Sequence, residues 1–501
     1  MDRLLDYIII ALYLIGVTVF GVISGGKQRT VTDYFLGGKT LPWWAVGFSI
    51  VASETSTLTF ISVPGLAYKS NMHFLQVAFG YLAGRLLVSL VFIPAYYKGN
   101  LETAYDFLGR RFGVSLRKFA SSVFIVTRVL ASGVRLFATA IPVHIITGWD
   151  YAACILVIGG FTLVYTYLGG LKAVVAMDVV QLFIYLGGAA AAMYIILTAL
   201  PGGWSDVVQR ATAGGADKFQ IFNLEWGGGP MGFLASPYTL LGGLLGGTFL
   251  TMASHGTDQL LVQRLLGCVS KRDSQRALML DACFIVLQFA FFLVLGLCLY
   301  AFYNGASLAD LGLKSSDEVF PKFIVENLPE GLSGFVIAGV LASAMGSLSS
   351  SISSLASSTY LDLFKQSGAG AVVDDARGVR WSRAFTLFWG ILLIGGALLF
   401  TSTTNPVIEL GLKIQSVTYG ALLGAFFLGL LPSPLTRVDA YAGFVAALAV
   451  MCAVLFLTRI DFTWHTLIGC AACIAAGYAS RGARKYISIR PLPNDDSRKG
   501  G

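Results

Sequence analysis

Hydrophobic runs recur along the whole chain and are separated by short polar stretches. Each run is long enough to cross a bilayer as one helix, which takes about 20 mainly apolar residues. The pattern predicts an all-α polytopic membrane protein with about thirteen transmembrane helices and no soluble domain. The predicted spans are residues 4–24, 41–67, 72–98, 116–147, 151–168, 173–200, 236–263, 277–303, 331–364, 380–402, 405–432, 437–458 and 462–481.

Two of these spans are interrupted by polar or glycine residues. The second carries a run of hydroxyl and β-branched side chains with Glu54 in its middle. The seventh carries a glycine cluster at 242–247, followed by polar residues at 254–259. Such residues weaken a helix and offer local hydrogen bonds to its backbone, so both spans are predicted to unwind. The alternative is that the glycines only let neighbouring helices pack closely.

The spacing of the two interruptions predicts a repeat. Because the interrupted spans lie five apart, spans 2–6 and 7–11 could form two inverted five-helix repeats with broken first helices. Interruptions in corresponding places of two halves point to the binding site of a secondary transporter. A binding site is therefore expected beside the two breaks.

The ninth span contains a ladder of serines from Ser343 to Ser354. Lipid offers hydroxyl groups no water, so a serine face at membrane depth must pack, bond to a neighbour or hold an ion. Asp178 lies in another hydrophobic span, where a carboxylate is costly and indicates a function. Serine oxygens and one buried carboxylate together suit a Na⁺ site. Two alternatives stay open: the serines provide close helix packing, and Asp178 bonds to serines and locks the sixth span to the ninth.

The composition agrees with a membrane protein, since 56% of the residues are hydrophobic and only 12% are charged. The net charge of +8 could indicate nucleic acid, but the cations are distributed over the loops between the spans. Most of the 35 lysines and arginines fall in alternate loops and in the C-terminal tail. The positive-inside rule then places the N-terminus outside and the C-terminus in the cytoplasm.

Five segments of the chain carry a family resemblance. They are Asp33 to Gly38, Gly169-Gly170 leading to Asp178-Val179-Val180-Gln181, Asp258 to Arg264, the serine ladder ending at Asp362, and Ile414-Gln415-Ser416. In this order and at these depths they resemble the sodium/solute symporter family, which contains sodium/glucose, sodium/proline, sodium/sialic acid and sodium/iodide carriers. The resemblance implies a five-plus-five inverted-repeat transporter fold.

On that fold, the chain divides into six parts. They are an N-terminal peripheral helix with a cytoplasmic loop (1–40), a first five-helix repeat (41–200), an extracellular loop (201–235), a second five-helix repeat (236–432), two C-terminal peripheral helices (433–481) and a cytoplasmic tail (482–501). The solute and its coupling ion would bind between the two repeats.

The resemblance implies one Na⁺ site between the second and ninth spans. Its ligands would be the backbone carbonyls of Ala52, Thr55 and Ser343 and the hydroxyl of Ser347. All-oxygen coordination suits a hard cation. Residues 343, 347 and 350 lie on one face of a helix, which agrees with this placement.

Two features of the ninth span affect the number of ions. Gly346 stands where many relatives carry a hydroxyl residue as a further ligand, so a water or Ser350 is expected to replace it. A second Na⁺ site that occurs in some relatives maps to Asp178, Ser349 and Ser350. The chain is therefore expected to bind one Na⁺, with a second as an open alternative.

The resemblance also places the solute beside the broken spans. Its candidate contacts are Ser56, Thr59, Gln76, Arg135, Gln259 and Gln415. Arg128 and Arg135 share a helix face, and the guanidinium fork suits a carboxylate, so either could bind an anionic solute. The alternative for Arg128 is an ion pair with Glu54, Asp258 or Glu409, or a side chain that extends to the cytoplasmic edge of the membrane.

We therefore expect a secondary active Na⁺-coupled symporter that imports a small polar organic solute by alternating access across a bacterial inner membrane. A sugar, a polyol or an organic anion is the expected solute, and a sodium/amino-acid symporter is an alternative. A solute sensor on a transporter fold is another, although the short tail after residue 481 leaves little room for a signalling domain. No reactive cluster indicates an enzyme, and neither nucleic acid nor an obligatory protein partner is expected.

Overall fold

The computed structural model of the protein describes residues 3–213, 217–225, 228–365, 375–399, 406–432 and 434–489. Within these ranges the side chains of residues 58, 406–414, 416 and 487–489 lie outside the description. The described residues form α1 Leu4–Gly25, α2 Val31–Leu36, α3 Trp43–Glu54, α4 Thr57–Lys69, α5 Leu75–Leu87, α6 Ile93–Gly99, α7 Ala104–Phe112, α8 Val114–Thr147, α9 Tyr151–Ala199, α10 Trp204–Ala211, α11 Pro230–Ala235, α12 Gly247–Gly256, α13 Gln259–Leu266, α14 Lys271–Phe302, α15 Val319–Asn327, α16 Leu332–Ser358, α17 Asp375–Leu399, α18 Pro406–Leu430, α19 Arg437–Leu457 and α20 Phe462–Ile489.

Each predicted span coincides with one helix, with part of a long helix or with a broken pair. Among the described residues, nine helices are long and apolar enough to cross a bilayer alone, and the bent pair α3–α4 gives a tenth. α9 has 49 residues and changes direction at Gly170, whose φ of 59° glycine adopts without strain, so it covers two predicted spans. The all-α membrane class is confirmed. The total of thirteen spans and the division into two repeats stay predictions.

The glycine cluster at 242–247 packs against α5 and does not unwind. A Cβ on Gly247 would lie 2.5 Å from the carbonyl oxygen of Val77, and one on Gly80 would lie 2.5 Å from that of Gly243. Such distances require glycine at the contact. The predicted unwinding is wrong for these glycines, and the break falls further along, at Thr257 between α12 and α13.

α16 lies at the centre of the fold, in contact with α1, α3, α8 and α9. Its N-terminus receives the buried carboxylate of Asp6 from α1, which accepts hydrogen bonds from the backbone of Gly331 at 2.7 Å and Gly334 at 2.8 Å. A negative charge is favourable at a helix N-terminus, where backbone N–H groups lack partners. This packing presents the serine ladder to the break between α3 and α4.

Candidate functional site

The break between α3 and α4 releases two backbone carbonyls. The helix axes on either side of it differ by 60°. The backbone amide of Ser56 donates to the backbone carbonyl of Glu54 at 2.9 Å, so it does not form the helical hydrogen bond to the carbonyl of Ala52. The amide of Thr59 donates to the Ser56 hydroxyl at 3.4 Å, so it does not bond to Thr55. The carbonyls of Ala52 and Thr55, both predicted Na⁺ ligands, therefore lose their helical donors.

Hydrogen bonds join this break to the serine ladder of α16 on two sides. The hydroxyls of Thr57 and Ser343 lie 3.0 Å apart, and those of Ser53 and Ser350 also lie 3.0 Å apart. Ser347 is one turn from each of these contacts on the same helix face. Its hydroxyl is buried and has no hydrogen-bond partner within the described part of the chain. The break, Ser343 and Ser347 therefore enclose a site of oxygen atoms that suits Na⁺.

The carboxylate of Asp178 forms an ion pair with the guanidinium of Arg264. Its Oδ2 lies 3.0 Å from Nη2 of Arg264 and accepts from the Ser49 hydroxyl at 2.5 Å. The same Nη2 of Arg264 donates to the Ser350 hydroxyl at 2.5 Å. Ser349, the third residue of the predicted second Na⁺ site, donates to the carbonyl of Gly346 at 3.0 Å. A guanidinium therefore occupies the space between Asp178 and Ser350 that the second Na⁺ was predicted to share.

The other side of Asp178 faces Gly346. Oδ1 of Asp178 is buried without a hydrogen-bond partner among the described residues. A Cβ on Gly346 would lie 3.0 Å from Oε1 of Gln181, 3.4 Å from Oδ1 of Asp178 and 3.8 Å from the carbonyl oxygen of Ala52. The hydroxyl that Gly346 lacks would therefore lie between the Na⁺ site and the unpaired Oδ1 of Asp178.

A cavity of about 590 Å³ adjoins both helix breaks. Of the predicted solute contacts, Thr59, Arg135 and Gln415 line it. The other lining residues are Ser53, Glu54, Val63, Phe74, Tyr81, Arg128, Leu250, Thr251, Ser254, Asp258, Leu260, Leu261, Ile285, Phe289, Tyr419 and Phe462. Small-molecule sites of this size combine an apolar wall with a few placed polar groups, as this one does.

Arg128 forms a buried ion pair with Asp258 at the second break. Oδ2 of Asp258 also accepts from the Tyr419 hydroxyl at 2.8 Å, and its Oδ1 accepts from the backbone of Leu260 at 2.9 Å. Pairing with Asp258 is thus confirmed among the partners predicted for Arg128. Glu54 pairs with another arginine instead, and the side chain of Glu409 lies outside the described residues.

Arg135 has no carboxylate partner among the described side chains. Its Nη2 donates to Oε1 of Gln415 at 3.3 Å, and it lies on the same wall of the cavity as Arg128. A smaller space next to the large cavity is lined by both Arg135 and Ser347. A guanidinium that faces the cavity without a charged partner from the described residues therefore lies next to the candidate Na⁺ site.

The structure does not bring Ser56, Gln76 and Gln259 into the cavity wall. Ser56 caps the N-terminus of α4. Gln76 is fully buried and bonds to three backbone groups. Oε1 of Gln259 accepts from the backbone of Ala104 at 2.8 Å, and its Nε2 donates to Ser357 at 3.2 Å. In this conformation the geometry assigns these three residues to packing.

Sequence reasoning missed a cluster of four charged or titratable side chains beside the cavity. Arg85 forms an ion pair with Glu54, and its Nε lies 2.6 Å from Oδ2 of Asp281. Nε2 of His255 lies 3.2 Å from Oε1 of Glu54. Arg85 and Asp281 both fall within predicted spans, and a charge at membrane depth was the signal that could have found them.

Known proteins and a family model match this chain along most of its length. A sequence model of the sodium:solute symporter family matches residues 34–447. The sodium/sialic acid symporter SiaT of Proteus mirabilis (strain HI4320) is 26% identical over 495 residues, which cover 98% of this chain and 97% of that protein. Human sodium-coupled monocarboxylate transporter 1 is 28% identical over 452 residues, which cover 89% of this chain and 72% of that protein.

Solved structures agree with these sequence matches. The substrate-bound, outward-open structure of a Na⁺-coupled sialic acid symporter matches with a TM-score of 0.85 at 25% identity, over 96% of this chain and 98% of that one. The closed structure of Mhp1, a nucleobase-cation-symport-1 family transporter, matches with a TM-score of 0.53 at 13% identity, over 94% of this chain and 98% of that one. The second likeness shows a shared fold.

Proposed function

Because this chain belongs to the sodium:solute symporter family and is a Na⁺-coupled symporter of a small organic solute, we propose that its solute is an organic anion whose carboxylate binds Arg135. The observation that carries the proposal is the guanidinium of Arg135, which faces the cavity without a carboxylate partner among the described residues. An arginine in a partly desolvated pocket binds a carboxylate through two parallel hydrogen bonds.

The rest of the cavity supports a carboxylate of moderate size. Its volume of about 590 Å³ lies within the range for small-molecule sites. Arg128 and Asp258 neutralise each other, so Arg135 sets the local charge of that wall. The relatives include a sialic acid symporter and a monocarboxylate transporter, and both of these solutes carry a carboxylate.

We assign the coupling to one Na⁺, held by the carbonyls of Ala52, Thr55 and Ser343 and the hydroxyl of Ser347. The two carbonyls freed by the first helix break and the unpaired Ser347 hydroxyl support this site. Arg264 beside Asp178 argues against a second Na⁺ at that carboxylate, because two cations would compete for one buried anion.

The proposed cycle is import by alternating access in a bacterial inner membrane, with the N-terminus outside. On this orientation the lining residues Phe74 and Phe462, at the N-terminal ends of α5 and α20, lie on the exterior side of the cavity. On the same orientation Arg117 lies at the cytoplasmic end of α8, and its ion pairs with Asp362 at 2.7 Å and with Asp106 at 2.9 Å would hold that end closed. Na⁺ would favour an outward-facing state because it joins the first break to α16, and solute and ion would leave after the cytoplasmic end opens.

Uptake into proteoliposomes tests this proposal. Sialic acid and lactate serve as anionic probes, and glucose and proline serve as probes without net charge. We expect an anionic probe to enter only with a Na⁺ gradient, and Arg135→Gln to raise its KM about ten- to hundredfold, as expected for a charge-assisted hydrogen bond of about 1.5–3 kcal/mol.

Two matched variants complete the experiment. Arg135→Lys keeps the charge but loses the fork, so an intermediate KM is expected. Arg276→Gln removes an exposed arginine whose partner is Asp273 and should leave KM unchanged. Equal uptake with K⁺ in place of Na⁺, or an unchanged KM in Arg135→Gln, would overturn the proposal.

A further inference from the structure

The four-residue cluster beside the cavity joins both helix breaks. Glu54 is the last residue of α3, and His255 is the second-last residue of α12. Arg85 of α5 and Asp281 of α14 complete it from the neighbouring helices. Nε2 of His255 lies 3.2 Å from Oε1 of Glu54 and 3.5 Å from Oδ2 of Asp281. The imidazole therefore links the last turns before the two breaks.

The charges of this cluster balance only when it binds one proton, and His255 is the base that can take this proton while both carboxylates stay paired with Arg85. The side chains of Arg85, His255 and Asp281 are fully buried, and that of Glu54 is 21% exposed. Two carboxylates and one guanidinium leave one negative charge, and a buried unpaired charge is strongly unfavourable. An imidazolium brings the sum to zero. Arg85 also keeps a metal cation out of the cluster, because its guanidinium already lies against both carboxylates.

His255 has hydrogen-bond partners in both of its protonation states. When Nε2 carries a proton, it can donate to the carboxylate of Glu54 or Asp281. When Nε2 is bare, it can accept from Nε of Arg85 at 3.3 Å. Nδ1 lies 2.9 Å from the hydroxyl of Ser254, which can donate or accept. The site can therefore gain or lose a proton without leaving the ring unsatisfied.

The other titratable groups around His255 are unsuited to titrate near neutral pH. Tyr81 stacks on the Arg85 guanidinium, and the Tyr185 hydroxyl of α9 donates to Oε1 of Gln288 at 3.2 Å; both are phenols, which ionise near pH 10 in water. The nearby charges of Arg128 and Asp258 neutralise each other. Imidazole is the side chain whose charge changes between pH 5 and 8.

We propose that His255 is a proton-binding site linked to solute binding, so that a proton is a second coupling ligand of this carrier beside Na⁺. Loss of the proton leaves the negative charge of the cluster uncompensated. Glu54 is the member of the cluster that reaches the cavity, so this charge acts on the solute there. The direction of this effect on solute affinity rests on the proposed function. If the solute is an organic anion, it binds more tightly when His255 is protonated. By linkage, binding of the anion then takes up a proton.

Histidine NMR of the full-length protein in nanodiscs tests the proton site without any solute. The chain has four histidines, and His255→Gln identifies the signal that belongs to His255. We expect this signal to change from imidazolium to neutral imidazole as the pH rises. Asp281→Asn should move the midpoint to lower pH by about one to three units, because it removes one of the two carboxylates. A neutral His255 signal throughout pH 5 to 8 in the wild type would overturn the proposal.

Binding of sialic acid and lactate tests the link to the solute. For the probe that binds, the apparent Kd should rise above the His255 midpoint by up to about tenfold per pH unit, as one linked proton requires. His255→Gln should abolish this slope, and the control His144→Gln, at the far end of α8, should keep it. An unchanged slope in His255→Gln refutes the link. If neither anion binds at any pH, the proposed anionic solute fails, while the NMR titration still decides the proton site.

Discussion

Replacement of Asp178 by asparagine distinguishes a sodium ligand from the partner of a buried arginine. Asp178 and Arg264 are fully buried, and their side chains lie 3.0 Å apart. The Asp178→Asn substitution would leave the guanidinium without its counter-charge in a site that water does not reach. Loss of one partner of such a pair destabilises a protein by about 3–5 kcal/mol.

The double variant measures how much of this loss belongs to the pair. Arg264→Gln should destabilise by a similar amount, because it leaves the carboxylate of Asp178 unpaired. Asp178→Asn combined with Arg264→Gln should lose less than the sum of the single variants, by about 2–3 kcal/mol. Asp362→Asn is a matched control, because it breaks a buried ion pair with Arg117 just beyond the C-terminus of α16, away from the Asp178–Arg264 pair.

The assay is thermal unfolding of the purified protein, followed by tryptophan fluorescence, over a series of Na⁺ concentrations. Both aspartate variants should unfold at lower temperature than the wild type. The Na⁺ dependence should keep a Hill coefficient of about 1 in all of them, because one site is occupied by Na⁺. A wild-type coefficient well above 1 that falls to about 1 in Asp178→Asn but not in Asp362→Asn would refute this reasoning and restore a second sodium.

Three further predictions concern the same region. Ser347→Ala removes an unpaired hydroxyl from the Na⁺ site and should lower the apparent Na⁺ affinity in the uptake assay about tenfold or more. The stability should not fall, because no hydrogen bond of the described residues is broken. An unchanged Na⁺ titration would contradict the ligand assignment. Gly346→Ser should tighten Na⁺ binding in the same assay, because its Cβ is tight only against the flexible end of Gln181, at 3.0 Å, and lies 3.8 Å from the carbonyl oxygen of Ala52; weaker binding would place the ion elsewhere. Gly296→Val should lower the unfolding temperature, because its Cβ would overlap the backbone carbonyl of Pro64; the exposed Gly160→Val, with open space around it, is the control, and equal unfolding temperatures of the two variants would contradict the packing argument.

The candidate site could be predicted in part from local patterns. Hydroxyl and β-branched residues around Glu54 indicated the first break, and the structure has it at Thr55 and Ser56. The glycines at 242–247 gave a misleading indication, because a helix that needs close contact and a helix that unwinds both carry glycine. The break at Thr257 lies within the polar stretch 254–259 instead.

The sequence by itself determined the membrane class, the helices and the release of the backbone at two breaks. These depend on the length of each apolar run and on hydrogen bonds between residues a few positions apart, which a linear pattern records. Only the tertiary structure decided which buried charges meet. Arg264 lies 86 residues from Asp178 in the chain, and His255 lies 170 residues from Arg85, yet helix packing places each pair within hydrogen-bond distance. Such a pairing depends on how distant helices cross. The oxygen ligands seen in the sequence suggested a second Na⁺ site, but in the folded protein a buried arginine side chain lies there.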